Sequence, residues 1–244
     1  MEKIVIKIGG NATQQLTESF FEQLAVWQQQ GKQVIIIHGG GPQISKWSSD
    51  LGLTVTKKNG IRVTDEATLK VTQAVLLGVV QPALCQMIAD HGFEVMGLNM
   101  ADNHLLEGEY VDQPLYGEVG QVIKVNEEWL AQNLHGQIAV IAPLVQTAHS
   151  AVLNVNADVA AAKIAEELNA AELVLLTDVP GVIKDGNVIS ELNNQMAHSL
   201  MQDEIIKSGM KPKIKAAFTA LEHGVKKVLI TDNIENHGTV LKTA

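Results

Sequence analysis

Cysteine is nearly missing from this chain of 244 residues. A lone Cys85 excludes an internal disulfide framework and suits a reducing compartment. Its place in the apolar run PALCQMI makes it a packed core thiol rather than a nucleophile. Aromatic residues are also scarce, 4% of a chain that is 46% hydrophobic. The core must therefore be built from Val, Ile, Leu and Ala, as in a parallel sheet covered by helices. Positive charge is in deficit, with 18 Lys and Arg against 27 Asp and Glu. A net charge of −9 excludes nonspecific affinity for nucleic acid or anionic membranes. An anionic ligand must then be attracted by local lysines and backbone N–H groups. The N-terminus MEKIVIKIGG lacks the basic and apolar regions of a signal peptide, and no apolar run reaches membrane-spanning length. A soluble, cytoplasmic protein is expected.

Several ligand-binding signatures are missing as well. There is no G-x-x-x-x-G-K-[ST], so this is not a P-loop protein. Position three after Gly41 is Ile44, which rules out the G-x-G-x-x-G dinucleotide fingerprint and with it a dehydrogenase. H-R-D and D-F-G do not occur. Neither H-E-x-x-H nor a Cys/His cluster offers a zinc site. The eight histidines are scattered, and each reads as a surface group or a satisfied core group, His38 included.

What is present is an alternation of apolar β-rich runs and helical patterns. KIVIKI, QVIIIH, FEVMGLNM, QIAVIAP, ELVLLTD and KKVLITD read as strands, each separated by enough chain for a crossover helix. That pattern predicts a parallel, doubly covered α/β sheet. Pro42, Pro82 and Pro212 mark first turns of helices, and Gly31, Gly92 and Gly224 mark helix ends. Asn59-Gly60 signals a type I′ hairpin. EGEYVDQPLYGEVGQVIKV reads as short antiparallel strands, which makes the sheet mixed. No repeat, low-complexity tract or flexible linker is visible. A division into two lobes must pass through packed structure near NADVAAAKIAEELNA.

Open α/β sheets bind ligands at the carboxyl ends of their strands. The segments there are KIGG (Lys7 to Gly10), HGGGP (His38 to Pro42), NVNAD (Asn154 to Asp158) and TDVPG (Thr177 to Gly181). Glycines admit a ligand close to the backbone, and a helix N-terminus supplies free N–H groups, which together suit phosphate or carboxylate. The bland reading of the triple glycine is a tight strand-to-helix turn. Lys7 shares a strand face with Val5 and opposes Ile4, Ile6 and Ile8. It either snorkels at an edge or is held for a charge it must meet. Lys211, Lys213 and Lys215 surround the first turn of a proline-initiated helix, where solvation is their ordinary fate. Arg62 is either a surface residue on the hairpin or a bidentate clamp for a carboxylate. Asp158 and Asp178 either cap turns, hold two ammonium groups between them, or meet magnesium through water.

KIGG, HGGGP, KKNGIRVTD, NVNAD, LTDVPGV and GMKPKI occur in an order and spacing that resemble the N-acetylglutamate kinase family of the amino acid kinase superfamily, over residues 3 to about 241. The resemblance implies a three-layer α/β/α sandwich around a mainly parallel open sheet, in two lobes. Residues 1–169 would bind the amino acid and dimerise, and residues 170–244 would bind ATP. It implies transfer of the γ-phosphoryl group of ATP, with Mg²⁺ held by the ATP phosphates and no direct protein ligand. The acceptor would be the side-chain carboxylate of N-acetyl-L-glutamate, in arginine biosynthesis. Carried over by motif, Lys7 and Lys213 would stabilise the transferring group and Asp158 would orient them. Gly10 and Gly40 would bind phosphoryl oxygens, and Gly39, Gly40, Arg62, Asn154 and Asn156 would hold the amino acid. Asp178, Val179, Pro180, Gly181, Val182 and Ile183, with Ile205, Ile206 and Lys207, would line the nucleotide site.

The chain departs from the family pattern between IAVIAP and NVNAD, where LVQTAHSAVL lacks the usual glycine turn. It also begins at its first strand, which resembles the arginine-insensitive dimeric members, in which the helix corresponding to ATLKVTQAVLLGVVQPALCQMIADHG forms much of the interface. The rival expectations are a sibling kinase acting on another acid, such as carrier-linked aminoadipate, and a non-catalytic sensor of nucleotide or amino acid.

Overall fold

KIVIKI and QVIIIH form the two central strands, β1 (Lys3–Ile8) and β2 (Gln33–His38), of a computed structural model that describes residues 1–11, 13, 16–206 and 210–243. Both are buried on both faces, which is why they read as unbroken apolar runs rather than as alternating ones. Helix α1 (Glu18–Gln29) connects them, and α2 (Gly41–Asp50) follows β2 directly with Pro42 in its first turn. Next come the hairpin strands β3 (Lys57–Lys58) and β4 (Ile61–Arg62), then α3 (Glu66–Val75), a π-helical turn (Leu76–Val80) and α4 (Gln81–Asp90).

The next stretch holds β5 (Val95–Leu98), β6 (Leu106–Tyr110), α5 (Gln113–Tyr116), β7 (Gly120–Val125), α6 (Glu127–Leu134) and β8 (Ile138–Ile141). After it come β9 (Leu144–Gln146), β10 (Val152–Asn154), α7 (Ala157–Glu167) and β11 (Glu172–Leu176). The chain continues through β12 (Ile183–Lys184), β13 (Asn187–Val188), β14 (Glu191–Asn193), α8 (Asn194–Gln202) and α9 (Lys211–Glu222). It ends with β15 (Lys227–Thr231) and β16 (Thr239–Lys242).

The main sheet runs β14-β16-β15-β11-β1-β2-β8-β5 and is parallel from β15 to β5. One face carries Ile4, Ile6 and Ile8 against Phe20, Leu24 and Trp27 of α1 and Leu84 and Ile88 of α4. The other carries Val5, Ile35 and Ile37 against α3, α7 and α9. Helices on both faces of one sheet give the three-layer sandwich.

Four details depart from the sequence reading or refine it. The strands within 107–125 do not mix into the main sheet; they join β9 and β10 in a separate sheet, β10-β9-β6-β7. The antiparallel component of the main sheet comes instead from β16, which runs against β15. Pro82 stands in the first turn of α4, as the sequence predicts, but α4 is not a separate helix. It sits inside a continuous helical segment, Glu66–Asp90, whose π turn widens the backbone just where the proline ring would meet the Gly78 carbonyl four residues back. This segment is 25 residues long and contains an 18-residue window of mean hydropathy 1.5, long and apolar enough to span a membrane by length and composition alone. Here its Val71, Val75, Leu76, Val80, Leu84 and Ile88 are buried in the core. Finally, the glycine-free turn between β9 and β10 closes with Ser150 in the left-handed region at φ 63°. The Thr147 N–H donates to the Ala151 carbonyl at 2.8 Å across that turn. Asn59 and Gly60 have φ of 51° and 82°, as the type I′ hairpin requires.

Candidate active site

Because β1, β2 and β11 are parallel neighbours, their carboxyl ends deliver Gly9-Gly10, Gly39-Gly40-Gly41 and Thr177-Asp178 to one edge. A cleft of about 340 Å³ opens there. It gathers Lys7, Gly10, Gly39, Gly40, Arg62, Asn154, Asn156, Asp158, Asp178 and Lys213, which are contributed by both halves of the chain.

The two lysines converge on one carboxylate. Lys7 Nζ lies 3.0 Å and Lys213 Nζ 3.9 Å from Asp158 Oδ1. That oxygen is buried and accepts no well-angled hydrogen bond among the described residues, so the attraction is an ion-pair contact in a site of reduced dielectric. Lys213 Nζ also donates to Thr177 Oγ1 at 2.7 Å, and the Thr177 hydroxyl donates to Asp178 Oδ1 at 3.1 Å. Burial pulls the Lys213 ammonium below the ordinary lysine range; Asp158 and Asp178 offset this in part, and Lys7 adds to it. Lys213 is thus the buried member of its cluster, whereas Lys215 is exposed. Asp158 sits in the first turn of α7, whose cap is Asn156: its Oδ1 accepts from the N–H groups of Asp158 and Val159. Asn156 can therefore offer the cleft only its amide nitrogen.

The glycine loops form a cradle of backbone donors. Among the described residues the N–H groups of Gly10, Gly40 and Gly41 take no partner. A Cβ on Gly10 would lie 3.3 Å from Gly40 N, 3.0 Å from Gly41 N and 2.7 Å from Pro42 Cδ, so only glycine leaves this space open. Gly39 contributes differently: its own N–H extends the β1–β2 pairing to the Ile8 carbonyl at 2.8 Å. What it supplies is room, since a Cβ there would meet Gly10 N at 3.0 Å.

Arg62 reaches back from the hairpin to the start of α2. Its Nη2 donates to the Gly41 carbonyl at 3.1 Å and to Ser45 Oγ at 2.8 Å. Burial lowers its pKa, although a guanidinium stays charged. Its Nη1 is buried with no partner among the described residues, a free donor at the cleft wall. Asn154 Nδ2 donates to Thr64 Oγ1 at 3.2 Å.

The residues expected to line a nucleotide stand at different places relative to the cleft. Asp178 lines the cleft, whereas Val179, Pro180, Gly181, Val182 and Ile183 lead away from it. Val182 and Ile206 bury their side chains in the core, and the Val182 N–H donates to Thr239 Oγ1 at 2.8 Å. Those two residues can present only backbone to a ligand. Ile205 is half-buried against the same core, and Lys207 lies outside the described residues.

Thr177, Lys57 and Asn11 are among the polar cleft residues that the sequence reading did not assign to the site. Thr177 was within a recognised motif, and a signal for it exists: a Thr-Asp pair recurs at the carboxyl ends of the adjacent strands, Thr177-Asp178 just after β11 and Thr231-Asp232 at the last residue of β15 and the one after it. Lys57 also lines the cleft. The two-residue turn pairs it directly opposite Arg62, so its place follows from the Asn59-Gly60 signal. Cys85 is half-buried against the core, and burial pushes its thiol up to about 11, which removes it as a nucleophile.

Residues 2–232 match the Amino acid kinase family. The chain is 49% identical to the acetylglutamate kinase of Lactiplantibacillus plantarum over 238 residues, covering 98% of this chain and 96% of that one. A crystal structure from Streptococcus mutans UA159 superposes with a TM-score of 0.94 at 35% identity, covering 98% of both chains. The carbamate kinase of Giardia shares the fold at a TM-score of 0.67 and 17% identity, covering 100% of this chain and 99% of that one. With the cleft built as described, the chain belongs to the amino acid kinase family, in its acetylglutamate kinase branch.

Proposed function

We infer that this chain transfers the γ-phosphoryl group of ATP to the side-chain carboxylate of N-acetyl-L-glutamate, giving N-acetyl-L-glutamyl 5-phosphate and ADP in arginine biosynthesis. The observation that carries the reading is the meeting of Lys7, Lys213 and the unpartnered N–H groups of Gly10, Gly40 and Gly41 in one cleft with Arg62.

Phosphoryl transfer asks the protein for placement and for charge that matches the equatorial oxygens of the moving group. Lys7 and Lys213, held on either side of Asp158, supply that charge, and the glycine N–H groups supply fixed donors. A carboxylate oxygen of the amino acid attacks the γ-phosphorus as the bond to the β-bridging oxygen breaks and ADP leaves with that electron pair. The attacking carboxylate is ionised near pH 7, so the step needs no general base. Arg62, with its free Nη1, and Asn154 hold the rest of the amino acid, with Asn156 Nδ2 and the space at Gly39 beside them. The nucleotide lies toward Asp178 and the backbone of the 178–183 and 205–207 segments.

Mg²⁺ keeps much of its water and binds one or two carboxylates besides phosphate oxygens. Asp178 fits that demand: it lines the cleft and is exposed, and its carboxylate takes a hydrogen bond from Thr177. Asp178 would hold the ion through water, and phosphate oxygens would be its inner ligands. When bound, it neutralises charge on the phosphates.

In this reading residues 1–169 form the amino-acid lobe and residues 170–244 the nucleotide lobe, in a cytoplasmic homodimer. The dimer face is the outer side of Glu66–Asp90, where exposed Ala74, Gly78 and Ala89 alternate with half-buried Leu77 and Met87. Sedimentation at micromolar concentration tests it, and a 26.3 kDa species would end the dimer proposal. The function is tested by an ATP-dependent hydroxamate assay with N-acetylglutamate, glutamate and aminoadipate. Product with N-acetylglutamate is expected. Product only with another acid would make this a sibling kinase, and none with any acid would make it a sensor.

A further inference from the structure

Within the glycine cradle one peptide unit is treated differently from its neighbours. The unit before it is fixed by the Gly39 N–H, which donates to the Ile8 carbonyl at 2.8 Å. The unit after it is fixed by the Gly40 carbonyl, which accepts from the Ile44 N–H at 2.9 Å. The Gly39–Gly40 unit between them has no backbone partner at either end among the described residues. Two flanking glycines give this unit the least resistance to a flip. Because a peptide is planar with its N–H and C=O opposed, a flip would replace the Gly40 donor with the Gly39 carbonyl, which repels phosphate.

What holds the unit is a side chain. His38, at the end of β2 and fully buried, places Nδ1 3.1 Å from the Gly39 carbonyl oxygen. A neutral imidazole carries one N–H, and a carbonyl can only accept, so the hydrogen-bond geometry assigns the proton to Nδ1. This leaves Nε2 buried with no partner among the described residues, a cost that an apolar side chain would avoid. A histidine kept only for packing has no reason to carry that orphan nitrogen.

We propose that His38 is a positioning residue whose Nδ1–H holds the Gly39 carbonyl and so aims the Gly40 N–H at the transferring phosphoryl group. The proposal rests on the phosphotransfer reading above. Burial also pushes the imidazole down to about 4, which keeps it neutral in the working range.

The test compares the full chain with His38→Leu, His38→Asn and His38→Gln. Asparagine can place an N–H where Nδ1 stands; glutamine cannot. His38→Leu is expected to keep or raise the melting temperature while kcat falls on the order of 10²-fold, the scale of a misplaced catalytic donor. KM for N-acetylglutamate should change little. His38→Asn should keep most of the turnover, and His38→Gln should follow the leucine variant. Leucine and asparagine variants with equal kcat would overturn the proposal, and so would loss of kcat only in step with loss of folding. If the leucine variant does not fold, the asparagine and glutamine pair decides.

A readout without turnover separates this from the kinase reading: the Gly40 amide resonance in glycine-labelled protein on addition of AMP-PNP and Mg²⁺. A shift in the wild type that is lost in His38→Gln supports the positioning role even if no acid is phosphorylated. The same shift in both, or none in either, overturns it.

Discussion

Lys7 and Lys213 approach the same oxygen, Asp158 Oδ1, from two distant parts of the chain, at 3.0 and 3.9 Å. One carboxylate thus offsets two ammonium groups that would otherwise repel each other in a buried site. Asp158→Asn leaves both uncompensated, and the loss is expected to be about 3 kcal/mol of stability, the scale of a broken buried pair. Denaturant unfolding checks it. Lys7→Met in the same background should restore part of the loss, and a double variant no more stable than the single one would refute the coupling.

In the proposed mechanism Lys213 stabilises the phosphoryl group only when charged, and burial has lowered its pKa. The alkaline limb of kcat/KM, which reports the free enzyme, should therefore appear below the ordinary lysine range. Lys213→Met should remove the limb and lower kcat on the order of 10³-fold, as loss of a transition-state charge does, with Lys7→Met comparable in kcat. Near-normal turnover in either variant would take that lysine out of the mechanism.

Adjacent glycines should respond in opposite ways to alanine. A Cβ on Gly10 would press on the Pro42 ring at 2.7 Å, whereas one on Gly41 meets nothing within 4 Å. Gly10→Ala is expected to lose most turnover, and Gly41→Ala to fold and bind ATP normally. Calorimetric titration with the nucleotide distinguishes them.

In the proposed mechanism Arg62 holds a substrate group that does not react, so Arg62→Ala should raise KM for N-acetylglutamate with a smaller change in kcat. An unchanged KM would show that the hairpin does not contact the amino acid.

His38 also imposes a pH dependence on stability. Its pKa is about 4 folded against an ordinary 6.5. Between these values the unfolded chain carries the extra proton, so stability falls as pH falls through this window and the contribution levels off below it. The loss amounts to up to about 3 kcal/mol. Urea unfolding of the wild type and His38→Leu from neutral pH to pH 4.5 should show a slope in the wild type that the variant lacks.

The sheet was legible because β-branched runs such as KIVIKI and QVIIIH carry both their length and their burial in composition, and their bounds match the strands found. The Asn59-Gly60 hairpin and the glycine ends at Gly31, Gly92 and Gly224 were legible because each needs positive φ, which few residues adopt. Pro82 marked the first turn of α4, but nothing local announced the π turn that joins α4 to α3, because its tolerance is set by tertiary packing. In the site, strand-end glycines and Lys7 announced themselves. The burial of Val182 and Ile206, the Asn156 cap and the hold of His38 on Gly39 depend on which side of a loop faces inward, which one-dimensional patterning does not encode.

Strand β11 joins β1 through five consecutive register pairs, Ile4↔Glu172 to Ile8↔Leu176, so the two proposed lobes share one unbroken sheet. Prying them apart would tear a ladder at the centre of the core, whereas the β3–β4 ribbon rests on two pairs. Loosening that admits the amino acid is therefore expected at the fringe, along Lys57–Arg62, rather than along the spine between the proposed lobes.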